Sequence, residues 1–361
     1  MVDAARAGRV ALVVVLAACS APSEDPTSSA APAAQPTETP TARSTSSGTP
    51  ATASAAPTAE TALTFEMTTY PVPAGSHPHD VAPAADGGVW YTAQGGGNLG
   101  WLDPATGEVR EIPLGAGASP HGVITGPDDA AWVTDSGLNA IVRVDGETDE
   151  VTVFPLEAPN ASLNTATFDA DGVLWFTGQA GIYGSLDPRT EEIRLHEAPG
   201  GQGPYGIATT PDGQVAFASL AGSYVGLVDR ATGEVAVIDT PTDGGGARRI
   251  WSDSAGRLWA TEWFAGSLAM YDPAADAWTE WRLPGDSPMP YAVYVDEEDA
   301  VWVTDFGANA TLRFDPETET WKAFEHKSEP AEVRQLLGRE GEIWGAESAA
   351  DQLVVIRTVD P

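Results

Sequence analysis

The chain is poor in cysteine, in positive charge and in helical pattern, and each shortage narrows what it can be. A single cysteine, Cys19, excludes an internal disulfide framework and any cysteine-rich metal centre. Only 18 basic side chains stand against 52 acidic ones, a formal net charge of -34 over 361 residues. Such a field repels nucleic acid and anionic lipid, which excludes both as direct partners and favours solubility. No stretch of ten residues carries helical periodicity, and the one long apolar run, Val10 to Ala18, is too short to span a bilayer as a mature helix. There is no HExxH, no GxSxG elbow, no Walker loop and no dinucleotide fingerprint.

The first nineteen residues read as an address rather than a fold. Arg6 and Arg9 precede the apolar run, which ends Leu16-Ala17-Ala18-Cys19. A basic flank, a short apolar core and small residues before a break make an export signal over residues 1–19. The Leu-Ala-Ala-Cys ending resembles a bacterial lipobox, in which the cysteine is lipidated and becomes the mature N-terminus. The expectation is therefore a protein outside the cytoplasmic membrane, lipid-anchored there through Cys19 or secreted, with no other membrane contact. Residues 20–62 are almost entirely Ser, Thr, Ala and Pro, which cannot bury a core. They read as a disordered stalk, roughly 35–40 Å end to end if fully flexible.

From residue 63 to 361 a unit repeats. Pro120-His121-Gly122-Val123 leads to Trp132-Val133-Thr134-Asp135, Pro78-His79-Asp80-Val81 to Trp90-Tyr91-Thr92-Ala93, and Pro290-Tyr291-Ala292-Val293 to Trp302-Val303-Thr304-Asp305. Equivalent units start at Asn164, Tyr205, Arg248 and Arg334, so the period is about 42 residues, seven times. Each unit holds four short strand-like runs separated by turn signals such as Asp86-Gly87 and Pro104-Ala105-Thr106-Gly107. The expected fold is all-β: one seven-bladed propeller of four-stranded antiparallel blades. The last unit lacks an outer strand. Phe65 to Pro71 matches one, so the N-terminal strand is expected to close the ring and remove an open edge.

Variation within the repeat points to a site. The anchor residue, which follows a Pro in four of the repeats, is His79, His121, Asn164, Tyr205, Arg248, Tyr291 and Arg334. The last residue of the second strand is Ala93, Asp135, Gly178, Ser219, Glu262, Asp305 and Glu347. In a meander these two rings should share one face near the axis, where varied polar residues suit a ligand better than packing. His79 and His121, from adjacent blades and with His77 and Asp135 expected nearby, could serve as base and orienter or hold a metal, or be hydrogen-bonded loop residues. Across the ring, Arg248, Glu262, Tyr291, Asp305, Glu332, Arg334 and Glu347 could clamp a carboxylate-bearing ligand or neutralise one another. Asp169-Ala170-Asp171-Gly172 is expected to be only a turn.

The P-[HY]-[GA]-[IV] … W-[FV]-T-[ED] repeat, with its D-P-x-T-G-E hairpin, resembles the virginiamycin B lyase (streptogramin B lyase) family over about residues 65–357. The resemblance implies a seven-bladed propeller that linearises cyclic streptogramin B antibiotics by Mg²⁺-dependent elimination at the ester. It implies a last-blade histidine as base, two last-blade glutamates on the metal and a sixth-blade histidine on the substrate. Glu332 matches one metal ligand and Glu347 approximately the other, so Mg²⁺ enters on the resemblance alone. Arg334 stands at the base position and Tyr291 at the sixth-blade position. A guanidinium of pKa about 13 is deprotonated in roughly one molecule per million at neutral pH. It cannot supply the 10²–10⁴-fold that a general base typically contributes. His79 and His121 occupy equivalent places in blades one and two and could carry that role. Tyr291, Arg248, Tyr205 and Asp135 are the expected substrate contacts. Two functions stay open: a lyase acting on a cyclic ester or other small molecule, and a non-catalytic propeller that binds a ligand or a cell-envelope component. The protein is expected to act as a monomer.

Overall fold

The computed structural model describes residues 63–359, so the export signal, Cys19 and the Ser/Thr/Ala/Pro stretch lie outside the described residues. Twenty-eight strands form seven four-stranded antiparallel sheets, and the described residues contain no helix. Blade one is β2 (Pro78–Pro83), β3 (Val89–Ala93), β4 (Asn98–Leu102) and β5 (Val109–Pro113), each paired with the next. The following blades repeat the order, with innermost strands β6 (Pro120–Thr125), β10 (Leu163–Phe168), β14 (Pro204–Thr209), β18 (Ala247–Ser252), β22 (Pro290–Val295) and β26 (Val333–Arg339). Every anchor expected from the sequence falls one residue inside such a strand.

The ring closes as the sequence predicts. β1 (Thr64–Pro71) pairs antiparallel with β28 (Gln352–Val359), from Thr64 opposite Val359 to Pro71 opposite Gln352. With β27 (Glu342–Glu347), blade seven therefore has the order β1-β28-β27-β26. Phe65 also packs edge-on against Trp302 and Phe324 of blade six, with centroids 5.8 and 5.3 Å away. The closing strand therefore covers an edge and fills a seam at once.

The repeated tryptophans are packing. Trp90, Trp132, Trp259, Trp302 and Trp344 are buried, each worth on the order of 2–3 kcal/mol of apolar burial. Carboxylates accept the indole N–H of four of them, Asp128 for Trp132, Asp253 for Trp259, Asp296 for Trp302 and Glu342 for Trp344, at 2.7–2.9 Å, while the Trp90 N–H has no acceptor. Asp169 does the same for Trp175 at 2.9 Å while accepting the amides of Asp171 and Val173, which makes the acidic Asp169–Gly172 run a turn.

All seven innermost strands bulge at the same place. Pro120 pairs with Asp135, but the next partner of Thr134 is Gly122, so His121 is the extra residue. Pro78 pairs with Ala93, and the register resumes at Val81 opposite Tyr91. The other five blades show the same shift. A bulge re-aims a side chain at the expense of a ladder bond. The repeat threonine makes good that loss. Thr134 accepts the Gly122 amide at 2.9 Å and donates to the carbonyl of Asn164 in the next blade at 2.5 Å. Thr92 accepts from Asp80 and donates to His121 O, and Thr261 accepts from Arg249 and donates to Tyr291 O. Blade four has Ala218 in that position, and blade seven has Ala346. There Gln335 accepts the Val81 amide at 3.0 Å and Ser348 donates to Pro78 O at 2.6 Å.

Candidate functional site

The bulges bring His79, His121, Tyr205, Arg248 and Tyr291 together at one mouth of the axis. The two imidazoles are in contact, with ring centroids 3.9 Å apart. Nδ1 of His121 lies 3.1 Å from the carbonyl of Asn164, which can only accept, so this nitrogen carries the proton and Nε2 keeps its lone pair. Nδ1 of His79 lies 2.8 Å from Asp80 Oδ1, which favours the same tautomer. Burial, and then the guanidiniums of Arg249, Arg334 and Arg248, hold the pKa of His79 well below the usual imidazole range. Burial and then His79 do the same to His121. Two imidazoles held neutral, each with a fixed proton and a bare nitrogen, are free to accept a proton at neutral pH, as weaker bases than an unburied imidazole.

Below them Asp80 reaches across the axis to Arg249, at 2.9 Å, both side chains almost fully buried. This pair narrows the channel to a cavity of about 30 Å³ between Asp80, Arg249, Gln335 and the apolar inner strands. That holds about one water, so a ligand must lie on the mouth rather than thread the axis.

Opposite the histidines stands an aromatic wall. Tyr205 and Tyr291 share a short hydroxyl–hydroxyl hydrogen bond. Against its burial, Arg248 and Arg249 draw the Tyr205 phenol below the usual tyrosine range. Arg248 lies 3.5 Å from the centroid of Tyr291, 4.4 Å from that of Trp263 and 4.9 Å from that of Tyr205. Tyr291 stacks on Phe306 at 4.9 Å, and the edge of Tyr205 meets His121 at 6.2 Å. The wall therefore spans the distance from guanidinium to imidazole. Trp263 and Phe306, absent from the sequence-based candidates, follow the second strands of blades five and six at positions outside the repeat motif, where only the loop geometry reveals them.

The second predicted ring does not line this mouth. Asp135 pairs with Pro120, not with the bulged His121, and it is fully buried in the loop. One oxygen accepts the amides of Ser119, Gly137 and Leu138 at 2.8–2.9 Å, and burial pushes its pKa up. Asp305 likewise ties down Met289 and Gly307. The expectation that Asp135 neighbours the histidines gives way to a loop-capping role, because the bulge separates two rings that simple alternation would place together. His77 also turns away: its amide donates to Asp351, and its ring faces Ser348 O at 3.3 Å. Glu262 is buried with neither oxygen hydrogen-bonded, and burial, with the Glu280 carboxylate adding to it, pushes its pKa up to about 7.

The glutamates matched to a magnesium site do not fit that ion as they stand. Glu347 is fully buried, one oxygen bound to His326 Nδ1 at 2.9 Å and the other to Gln352 at 2.5 Å. Against its burial, those hydrogen bonds hold its carboxyl below the usual range. Glu332 is paired with Arg334 at 2.5 Å. Magnesium wants several free oxygen donors in a near-octahedral shell, and here a guanidinium occupies one carboxylate and an imidazole the other. Among the described residues, the group whose ligand atoms lie within 4.8 Å of one another is His79, Asp80 and His121. It is nitrogen-rich, and its carboxylate is committed to Arg249.

The sequence model of the virginiamycin B lyase family matches residues 51–277. The chain belongs to the virginiamycin B lyase family. Among solved structures, a streptogramin B lyase is 22% identical, with a TM-score of 0.75, covering 82% of this chain and 98% of that one. A catalytically inactive variant of the virginiamycin B lyase from Staphylococcus aureus, with quinupristin, is 20% identical, with a TM-score of 0.76 and coverage of 82% and 100%. YCF48 bound to D1 peptide is 16% identical, with a TM-score of 0.62 and coverage of 82% and 97%. These likenesses are of fold. A search of the curated proteins finds no match.

Proposed function

We propose that this member of the virginiamycin B lyase family is a carbon–oxygen lyase acting on an ester-bearing small molecule at the channel mouth, with His121 as general base. The observation that supports this best is the pair of neutral imidazoles with pinned Nδ1 protons facing Arg248 across Tyr205. In the reaction, Nε2 of His121 removes a proton from the carbon adjacent to the one bearing the ester oxygen. The C–H electrons form a double bond, the C–O bond breaks, and the ester oxygen leaves as a carboxylate. Nothing is added, so the opened product has the mass of the ring. His79 holds His121 in place from one side. Arg248 presents a cation to the departing carboxylate. No step is routed through magnesium, because Glu332 and Glu347 are engaged with Arg334 and with His326 and Gln352.

The reading is tested by incubating quinupristin with the purified protein, with and without Mg²⁺, and following it by mass spectrometry after separation. An isobaric product of new retention time, formed at least about 10²-fold more slowly by His121→Ala, is the expected result. A second reading rests on Arg334, which sits paired with Glu332 where the family's base is expected: a propeller that binds and does not react. Turnover by Arg334→His alone would select it. In either case the Leu16–Cys19 motif supports export and anchoring through a lipidated Cys19, with the protein acting as a monomer on small molecules. Labelling with a fatty acid that is lost in Cys19→Ser checks the anchor.

A further inference from the structure

Arg248 differs from the other two arginines at the mouth. Arg249 is paired with Asp80 and Arg334 with Glu332, whereas Arg248 makes no ion pair among the described residues. Its one hydrogen bond runs from Nη2 to the Tyr205 hydroxyl at 3.3 Å, and its Nε has no acceptor. In a chain with 52 acidic side chains, a guanidinium without a carboxylate is a choice of surroundings, not a shortage of partners. Tyr205, Trp263 and Tyr291 fence it on three sides, which fixes the plane of its fork and leaves Nη1 without a partner. The fence is apolar and reaches the surface: Phe264, next to Trp263, is 67% exposed, and Met289, which bonds the Phe306 amide through its carbonyl, is 40% exposed. The remaining large exposed apolar residues, Leu63, Val153 and Val237, lie on or beside the outer strands β1, β9 (Val151–Pro155) and β17 (Val235–Asp239).

We infer that Arg248, with Trp263, Phe264, Tyr291 and Phe306, is a subsite for a carboxylate attached to an aromatic or other flat apolar group. The guanidinium fork takes the carboxylate oxygens in two parallel hydrogen bonds, and the wall takes the flat group beside it. Arg249 and Arg334 bear on the same mouth without competing, since each is already held by its own carboxylate. This inference rests on the mouth being the ligand site. It does not require turnover.

The probe is phenylacetate, with phenylacetamide as its neutral counterpart of equal shape, titrated into the full chain and followed by quenching of tryptophan fluorescence and by calorimetry. Saturable binding of phenylacetate, with the amide at least about tenfold weaker, is expected. Arg248→Gln should bring the acid down to the level of the amide, and Arg248→Lys should fall between, because a point charge replaces the fork. Circular dichroism and an unchanged unfolding midpoint establish that the variants fold. Turnover of quinupristin by the parent, assayed beside this titration, keeps the two readings apart: phenylacetate binding without turnover overturns the lyase reading and leaves the subsite standing. Equal affinity for acid and amide, undiminished binding by Arg248→Gln, or inorganic phosphate displacing phenylacetate at equal concentration would each overturn the inference.

Discussion

Replacing Glu262 by Gln should make the protein more stable at pH 8 and leave it nearly unchanged at pH 5. Glu262 ends β19 (Leu258–Glu262), fully buried under the Gly244–Gly246 run, and a side-chain carbon added at Gly245 would lie 2.4 Å from its Oε1. Neither oxygen has a donor, and its pKa is pushed up to about 7 from 4.5. In the unfolded chain the carboxyl ionises near 4.5; in the fold it keeps its proton until about 7. Between those values the folded state holds the extra proton, so this group's contribution to stability falls as pH rises through the window and is gone above it. The full difference corresponds to ~3 kcal/mol. Gln has no proton to lose. Urea unfolding followed by tryptophan fluorescence from pH 5 to 8, for parent and variant, gives the difference directly. Every other titrating group is common to parent and variant and cancels in the subtraction. A difference that stays constant across pH would refute the reasoning, because it would mean that the carboxylate is ionised and satisfied in the fold.

Two more predictions follow from the same physics. Asp80→Asn leaves Arg249 buried without its counter-charge and should cost about 3–5 kcal/mol in denaturant unfolding, with Asp80→Asn/Arg249→Gln recovering more than half. If His121 is the base, its depressed pKa keeps it unprotonated below the usual imidazole range. The pH profile of kcat/KM should therefore stay flat down through pH 6.5 and fall only at lower pH; an acid limb at or above 6.5 would exclude His121 in the neutral state described.

The blade count, the closing strand and the seven anchors were legible because packing repeats: the same tryptophan, the same β-branched neighbours and the same turns recur at one spacing. The histidine pair was legible for a related reason, since two units carry His where others carry Asn, Tyr or Arg. The role of Asp135 was not. Alternation along a strand places it beside His121, and only the one-residue bulge, which no residue type announces, pulls them apart. Nor was the Asp80–Arg249 pair, whose members lie on blades one and five and meet only because the ring closes. Arg248 and Arg334 hold the same place in the repeat. Their difference lies in whether a carboxylate stands two residues before, as Glu332 does for Arg334.

The bulge has a consequence for how such a molecule can change. At His79, His121, Tyr205, Arg248 and Tyr291 the side chain leaves the ladder, and threonines hold the amides of Asp80, Gly122 and Arg249 within a blade and the carbonyls of His121, Tyr205 and Tyr291 from the blade before. The site is thus a ring of seven sockets whose fittings can be exchanged one at a time while the frame that holds them stays as it was. A relative that has moved its reactive group from one blade to another need not have refolded anything; it has only rotated the face on which its chemistry is written.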